Sequence, residues 1–340
     1  MSKKMLLNAA AFVVVSSLLF AASAAPAQPV KTRKSEITYA FEVTGIPEGA
    51  RSVRVWVPFP TDTAEQRIYD MRVNSPFPFE INYDKVWGNA IIYFKGEPRD
   101  FTFEMKFRVE RREARSEDLG KIRNATAADR RLFAKYLAPS RLAVRDERVE
   151  RLSRMAVDGR SDPLEKARAI YDFVLEKMDY DKKTPGWGRG DVKRVCLSIG
   201  ARGKGTGNCT DFHSFFSSLM QAQGIPVVFE MGYPLAPGGE QREPKEGGYH
   251  CWARFYIPEA GWVPVDISEA DKDPSRRDYF FGSLCENRIR FSRGRDIVLM
   301  PPQDGEPLNY FGPDPYIEVD GKPFNGFKRT IAYTNERERL

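Results

Sequence analysis

Asn208-Cys209-Thr210-Asp211-Phe212-His213 stands between a glycine-rich loop and an apolar run reaching Gln223, and it decides how the rest of the chain is read. Asn208 suits the cap of a helix that starts at Cys209 and stops at Gly224-Ile225-Pro226, where glycine and proline prevent continuation. The first turn of a helix carries backbone N–H groups without partners and the positive end of the dipole, so a negative group is favoured there. A thiol at that place is biased toward thiolate, the form that attacks a carbonyl carbon. Cys209 is therefore the candidate nucleophile; the plain alternative is a buried, inert cysteine. The glycines before it, Gly200, Gly203, Gly205 and Gly207, do not form a phosphate loop, because Thr206 follows Gly205 where a lysine is required. They are expected to let backbone pass close to the helix start.

A nucleophilic cysteine needs a base, and the chain has two histidines, His213 and His250. His213 lies one turn along the helix of Cys209, which usually aims it away from the reactive direction of a first-turn side chain. Accessory contact, or bonding to neighbouring backbone, is expected of it. His250 opens the β-rich run His250-Cys251-Trp252-Ala253-Arg254-Phe255-Tyr256, followed by Pro258-Glu259-Ala260-Gly261 and Trp262-Val263-Pro264-Val265-Asp266-Ile267. This reads as a hairpin. If Tyr256 pairs with Trp262, Trp252 faces Asp266 and His250 lies diagonal to Asp266 on the same face, within side-chain reach. A loop one residue shorter would send Asp266 to the opposite face with Cys251 and Ala253. Asp211 is expected as a first-turn acid favoured by the dipole, with holding a loop or a substrate amine as the other reading.

The blocks Gly207–His213, Gly248-Tyr249-His250-Cys251-Trp252-Ala253 and Gly261-Trp262-Val263-Pro264-Val265-Asp266 together resemble the transglutaminase-like superfamily, in its bacterial exported branch. The resemblance covers about residues 160–300, and Ala167–Tyr180 and Trp187-Gly188-Arg189-Gly190-Asp191 fit it. It implies an α+β, papain-like core in which Cys209 is the nucleophile, His250 the general base and acid, and Asp266 the residue that orients His250. An upstream side chain often assists the oxyanion in this superfamily, and Trp187 is the candidate; a packed aromatic is the alternative. The reaction implied is attack on a peptide or glutaminyl amide to give a thioester, resolved by water in a protease or amidase and by an amine in a transglutaminase. The partners implied are a protein or peptide substrate and, for transfer, a second amine substrate. The rival reading is an inactive peptide- or cell-wall-binding module on the same fold. A redox protein pairing Cys251 with Cys285 or Cys196 is a weaker third, since no close cysteine pair exists in sequence.

Outward from this core the pattern changes. Ile37, Tyr39, Phe41 and Val43, and again Phe101, Phe103, Met105, Phe107 and Val109, alternate with polar residues, and turn signals such as Pro47-Glu48-Gly49 separate the runs. An antiparallel β-sandwich is expected over residues 35–115, a helical linker over 116–145, the catalytic domain over 146–300 and a C-terminal extension with a short strand over 301–340. Within the catalytic part Asp162 caps a helix with Pro163 at its first position. The Pro/Gly-rich stretch Pro234–Gly248 looks like a mobile lid beside the cleft; a lid that excludes water would favour transfer to an amine, but the sequence does not rank transfer against hydrolysis.

Residues 1–24 read as a secretory signal: Lys3 and Lys4, an apolar run from Met5 to Phe20, then Ala22-Ser23-Ala24. An uncleaved anchor is the alternative. The protein is expected to be exported, periplasmic or secreted in a bacterium, with no membrane span after cleavage. Among the 340 residues, Lys+Arg 53 against Asp+Glu 47 gives +6, too mild for a nucleic-acid protein. Hydrophobic residues at 41% and aromatics at 12% exclude a disordered chain. Four cysteines are too few for a disulfide scaffold, and the absence of C-x-x-C spacing and of an acidic calcium loop argues against metal. No cofactor is expected.

Overall fold

A strand with period-two alternation must bury one face. In the computed structural model, which describes residues 29–336, Thr32–Val43 and Phe101–Arg112 do so side by side. Ile37, Tyr39, Phe41 and Val43 stand opposite Phe107, Met105, Phe103 and Phe101 in antiparallel register, and all eight are buried. The expected leader at residues 1–24 lies outside the described residues. One five-stranded sheet runs in the order Gln241–Glu246, Phe327–Asn335, Thr32–Val43, Phe101–Arg112, Gln66–Asn74. A second runs Lys322–Pro323, Tyr316–Val319, Val53–Pro58, Ala90–Gly96, Phe79–Tyr83. Inner faces of the two share one hydrophobic cluster, built on Phe41, Val55, Phe94, Phe103, Ile317 and Ile331.

The sandwich draws on more of the chain than residues 35–115. Phe327–Asn335, within the stretch expected as an extension, is a nine-residue strand paired along Thr32–Val43, and Tyr316–Val319 pairs with Val53–Pro58. Without them both first strands would present a row of unpaired backbone groups. The expected lid is likewise an edge strand: Gln241–Glu246 pairs with Phe327–Asn335, and Arg329 donates to the carbonyls of Gly247 and Gly248 at 2.7 Å each. Its charged, proline-containing sequence is that of a protected sheet edge. Residues 116–145, expected as a helical linker, hold only a 3-10 turn at Leu119–Lys121 and a four-residue helix at Ala134–Leu137.

The α+β core is as the sequence implies. Asp162 accepts from the N–H groups of Leu164 and Glu165 and starts the helix Pro163–Lys177, whose Ile170, Tyr171 and Val174 are buried. Cys209–Ala222 runs through the centre, buried from Cys209 to Gln221. An antiparallel sheet covers it, ordered Gly261–Val265, His250–Ile257, Val227–Pro234, Arg288–Arg293. Phe212, Phe215, Phe216 and Leu219 pack with Phe255 and Val263 in one cluster. Tyr233 and Leu235, at the end of the third strand, and Ile289 and Phe291, from the fourth, belong instead to the hydrophobic cluster of the sandwich. This sheet is thus shared between two cores. Among the described residues no helix is long and apolar enough to cross a membrane.

Candidate active site

The helix start at Cys209 is built by its neighbours in sequence. The Asn208 side chain accepts from Thr210 N–H at 2.9 Å, while Asp211 Oδ2 accepts from Asn208 N–H at 3.0 Å, a reciprocal capping box. Phe212 N–H goes to the Asn208 carbonyl. No described residue accepts from Cys209 N–H, which leaves it as a donor beside the thiol. Asp211 also reaches the loop before the helix, accepting from Gly188 N–H at 2.6 Å and Gly190 N–H at 3.1 Å and pairing with Arg194 at 3.1 Å. Asp211 thus caps the first turn and holds the loop before it. The close approach requires glycine, for a Cβ on Gly207 would sit 2.3 Å from Asp211 Oδ2, and one on Gly188, at φ +80, 3.2 Å from Tyr249 Oη.

His250 and Asp266 come from the hairpin, in the register that puts Tyr256 opposite Trp262 and Ala253 opposite Val265. That register brings His250 Nε2 to 2.7 Å from Asp266 Oδ2 and leaves Nδ1 as the ring nitrogen for Cys209. Cys209 is 2% exposed, His250 6% and Asp266 0%. Burial alone would lower the histidine, but the charge and hydrogen bond of Asp266, with those of Cys209, hold it up to about 10. Burial alone would raise the thiol; hydrogen bonds from Cys251 and His250, and the charge of His250, instead hold it well below the usual thiol range. Burial works against Asp266 too, yet His250 and Arg288 hold its carboxyl far below the usual range. These shifts favour a thiolate on Cys209, an imidazolium on His250 and a carboxylate on Asp266.

His213 has a backbone partner at each ring nitrogen. Its Nε2 accepts from Ile267 N–H at 3.1 Å, so the ring proton sits on Nδ1, 2.7 Å from the Cys209 carbonyl. Burial lowers its pKa, keeping it neutral, and Asp266 Oδ1 is 3.8 Å away. Trp187 lies on the loop held by Asp211; its N–H goes to the Thr184 carbonyl at 3.2 Å, and its side chain is 37% exposed. Only its indole is available to a substrate.

Three features escaped the sequence reading. Arg288, 2% exposed, donates to Asp266 Oδ2 at 2.7 Å, the oxygen that His250 uses, and to Cys285 Sγ at 3.3 Å. The signal in the sequence is the alternation Arg288-Ile289-Arg290-Phe291, which fits a strand with arginines on one face and names no partner for them. Tyr249 Oη accepts from Asn208 Nδ2 at 2.6 Å, and Tyr249 and Tyr310 pack beside Cys209. Cys251 carries its thiol into the site as well. All four cysteines are unpaired, so a disulfide from Cys251 to Cys285 or Cys196 is not formed. Among the described residues no group of three or more His, Cys, Asp and Glu is placed to hold a metal ion.

Residues 150–267, the stretch that carries Cys209, His250 and Asp266, match the family model of the transglutaminase-like superfamily core. An uncharacterized protein of Haemophilus influenzae is 27% identical over 368 residues, covering 95% of this chain and 96% of its own length. The solved structure of a "Putative Cysteine Protease" from Cytophaga hutchinsonii superposes with a TM-score of 0.57 at 15% identity, over 91% of this chain and 93% of that one. That likeness is one of fold, and it spans sandwich and core together.

Proposed function

From the transglutaminase-like core of residues 150–267 we propose that the protein is an exported cysteine enzyme of acyl transfer, acting on a peptide or glutaminyl amide. Cys209 thiolate attacks the carbonyl carbon, and the oxyanion is received by the free N–H of Cys209 at the helix start, with the Trp187 indole as second donor. His250 gives its proton to the leaving amine, and Asp266 holds the ring so that Nδ1 faces the thiolate throughout. The thioester is then resolved by water, or by an amine that His250 deprotonates. The exported setting rests on the leader at residues 1–24.

The observation that carries this reading is the 2.7 Å bond from His250 to Asp266, with Cys209 on the first turn of a buried helix. Gln241–Glu246 is held in a sheet, which gives a closing lid no support as a means of favouring transfer. Hydrolysis is the outcome that needs no further component. The test is intact mass after iodoacetamide at pH 6, on wild type, Cys209→Ala and His250→Ala. One fast adduct, absent in the first variant and slow in the second, is expected. Equally slow labelling in all three would overturn the catalytic reading and leave a peptide-binding module.

A further inference from the structure

Cys209 does not face His250 alone. Cys251, next after His250 in the strand His250–Ile257, packs its thiol against the first turn of the helix that carries Cys209. Its own sulfur lies 3.7 Å from Thr210 Oγ1 and 3.9 Å from His213 Nδ1, which hold it against the helix start. The two cysteines share a small cluster with Phe229 and Met231. No step of the acyl transfer uses the Cys251 thiol.

We propose that Cys209 and Cys251 form a reversible oxidation site, in which a hydroperoxide oxidises Cys209 and Cys251 converts the product to a Cys209–Cys251 disulfide. The proposal rests on the reading of Cys209 as an activated nucleophile. In the first step the Cys209 thiolate attacks one peroxide oxygen, an S–O bond forms and the O–O bond breaks. The departing alkoxide or hydroxide takes the proton of His250; the sulfur has lost two electrons and the peroxide has gained them. In the second step the Cys251 sulfur attacks the Cys209 sulfur, the S–O bond breaks, and the hydroxyl leaves as water with the Cys251 proton. A dithiol reductant returns both thiols.

The order of events follows from burial. Cys251 is 0% exposed and Cys209 2%, so a reagent from solvent meets Cys209 first. Burial, and the negative charge of Cys209, push the Cys251 thiol well above its ordinary pKa, so it stays a thiol until the neighbouring sulfur becomes an electrophile. Cys251 Sγ is 3.7 Å from Thr210, the residue next to Cys209, and both sulfurs lie in one small cluster, so closing to a disulfide asks only a local movement. Cys196 lies in the helix Val192–Arg202, and Cys285 is bound by Arg288, so neither replaces Cys251. Without the second thiol, a sulfenic acid at Cys209 would stay open to further, irreversible oxidation.

The test treats the full chain with a small excess of hydrogen peroxide, then reads iodoacetamide labelling, intact mass and peptide crosslinks. The wild type should lose about 2 Da, gain a Cys209–Cys251 crosslink, fall at least about tenfold in Cys209 labelling, and recover fully with dithiothreitol. Cys251→Ala removes a thiol that helps to hold Cys209 low and should alkylate more slowly than wild type before oxidation, while Cys251→Ser, which keeps a hydrogen-bond donor, should lie nearer to wild type; after oxidation both should gain about 32 Da at Cys209 and not recover. Cys285→Ser should behave as wild type. Irreversible gain of oxygen by the wild type, or a crosslink to Cys285, overturns the proposal. Slow alkylation of Cys209 before any oxidant overturns this proposal and the nucleophile reading together; fast alkylation without the crosslink overturns this one alone.

Discussion

Asp266→Asn, Arg288→Met and their double variant separate what Asp266 does for reactivity from what it does for folding. Two cations, His250 Nε2 and Arg288 Nη1, share Asp266 Oδ2 at 2.7 Å each, so they stand about 5 Å apart with one carboxylate between them. Replacing that carboxylate by an amide leaves two positive groups repelling by about 3 kcal/mol at an effective dielectric of about 20, which corresponds to more than about two pKa units. Burial acts on His250 in the same direction. Asp266→Asn should therefore leave His250 neutral at pH 6 and Cys209 a thiol, slowing alkylation by iodoacetamide about 100-fold. It should also cost about 3–5 kcal/mol in urea unfolding, because the Arg288 guanidinium is left buried without a counter-charge. Arg288→Met keeps the His250–Asp266 pair and should alkylate within about a factor of ten of wild type. In the double variant stability should exceed the additive expectation by at least about 2 kcal/mol while alkylation stays slow. Wild-type alkylation in Asp266→Asn, or its return in the double variant, would refute the account of Asp266 as the group that keeps His250 charged.

Other perturbations test the surrounding structure. Asp211→Ala removes the acceptor for Asn208, Gly188 and Gly190 N–H groups and should cost about 2–4 kcal/mol, with faster tryptic cleavage after the exposed Arg189 as the readout. In the wild type, folding takes up a proton at His250 and releases one at Cys209, so between about pH 6.5 and 8.5 the pair leaves stability flat. Cys209→Ala keeps only the uptake. A raised histidine stabilises fully below its unfolded pKa and loses this as pH rises, so urea unfolding at pH 7, 8 and 9 should show a fall of up to about 1.4 kcal/mol per unit. Ile331→Asp puts a charge among Phe41, Val55 and Phe94 at a fully buried position and should cost at least about 4 kcal/mol, seen as a lowered Tm or an insoluble product.

What was legible in the sequence was local. Asn208 before Cys209, and Asp162 before Pro163, announce helix starts because a side-chain oxygen there meets orphan N–H groups, a requirement spanning three residues. The hairpin from His250 to Asp266 was equally local, but its loop length left two registers open, of which the one with Tyr256 opposite Trp262 is found. What was not legible needed partners remote in sequence. Period two says that Thr32–Val43 is a strand but not that Phe327–Asn335, some 300 residues away, is its neighbour. Charge and glycine in 234–248 suggested mobility, yet sheet edges carry the same composition. Arg288 could not be assigned to Asp266 before the strand Arg288–Arg293 was known to lie beside Val227–Pro234.

The sandwich takes part in the site through that strand. A thiolate, an imidazolium and a carboxylate buried together carry one net negative charge, and removing such a group from water is costly unless it is balanced. Arg288 supplies the balancing charge, making the set of four neutral. Its position depends on neighbours of another origin. Ile289 and Phe291 lie in the sandwich cluster, and Gln66, on a sandwich strand, brackets Arg290 by accepting from its N–H at 2.8 Å and donating to its carbonyl at 3.0 Å. The strand that delivers the fourth charge is thus held on one side by the catalytic sheet and on the other by the sandwich. Packing energy in the sandwich is thereby coupled to the protonation state of Cys209, since any loosening of Arg288–Arg293 withdraws the charge that makes a buried thiolate and imidazolium tolerable.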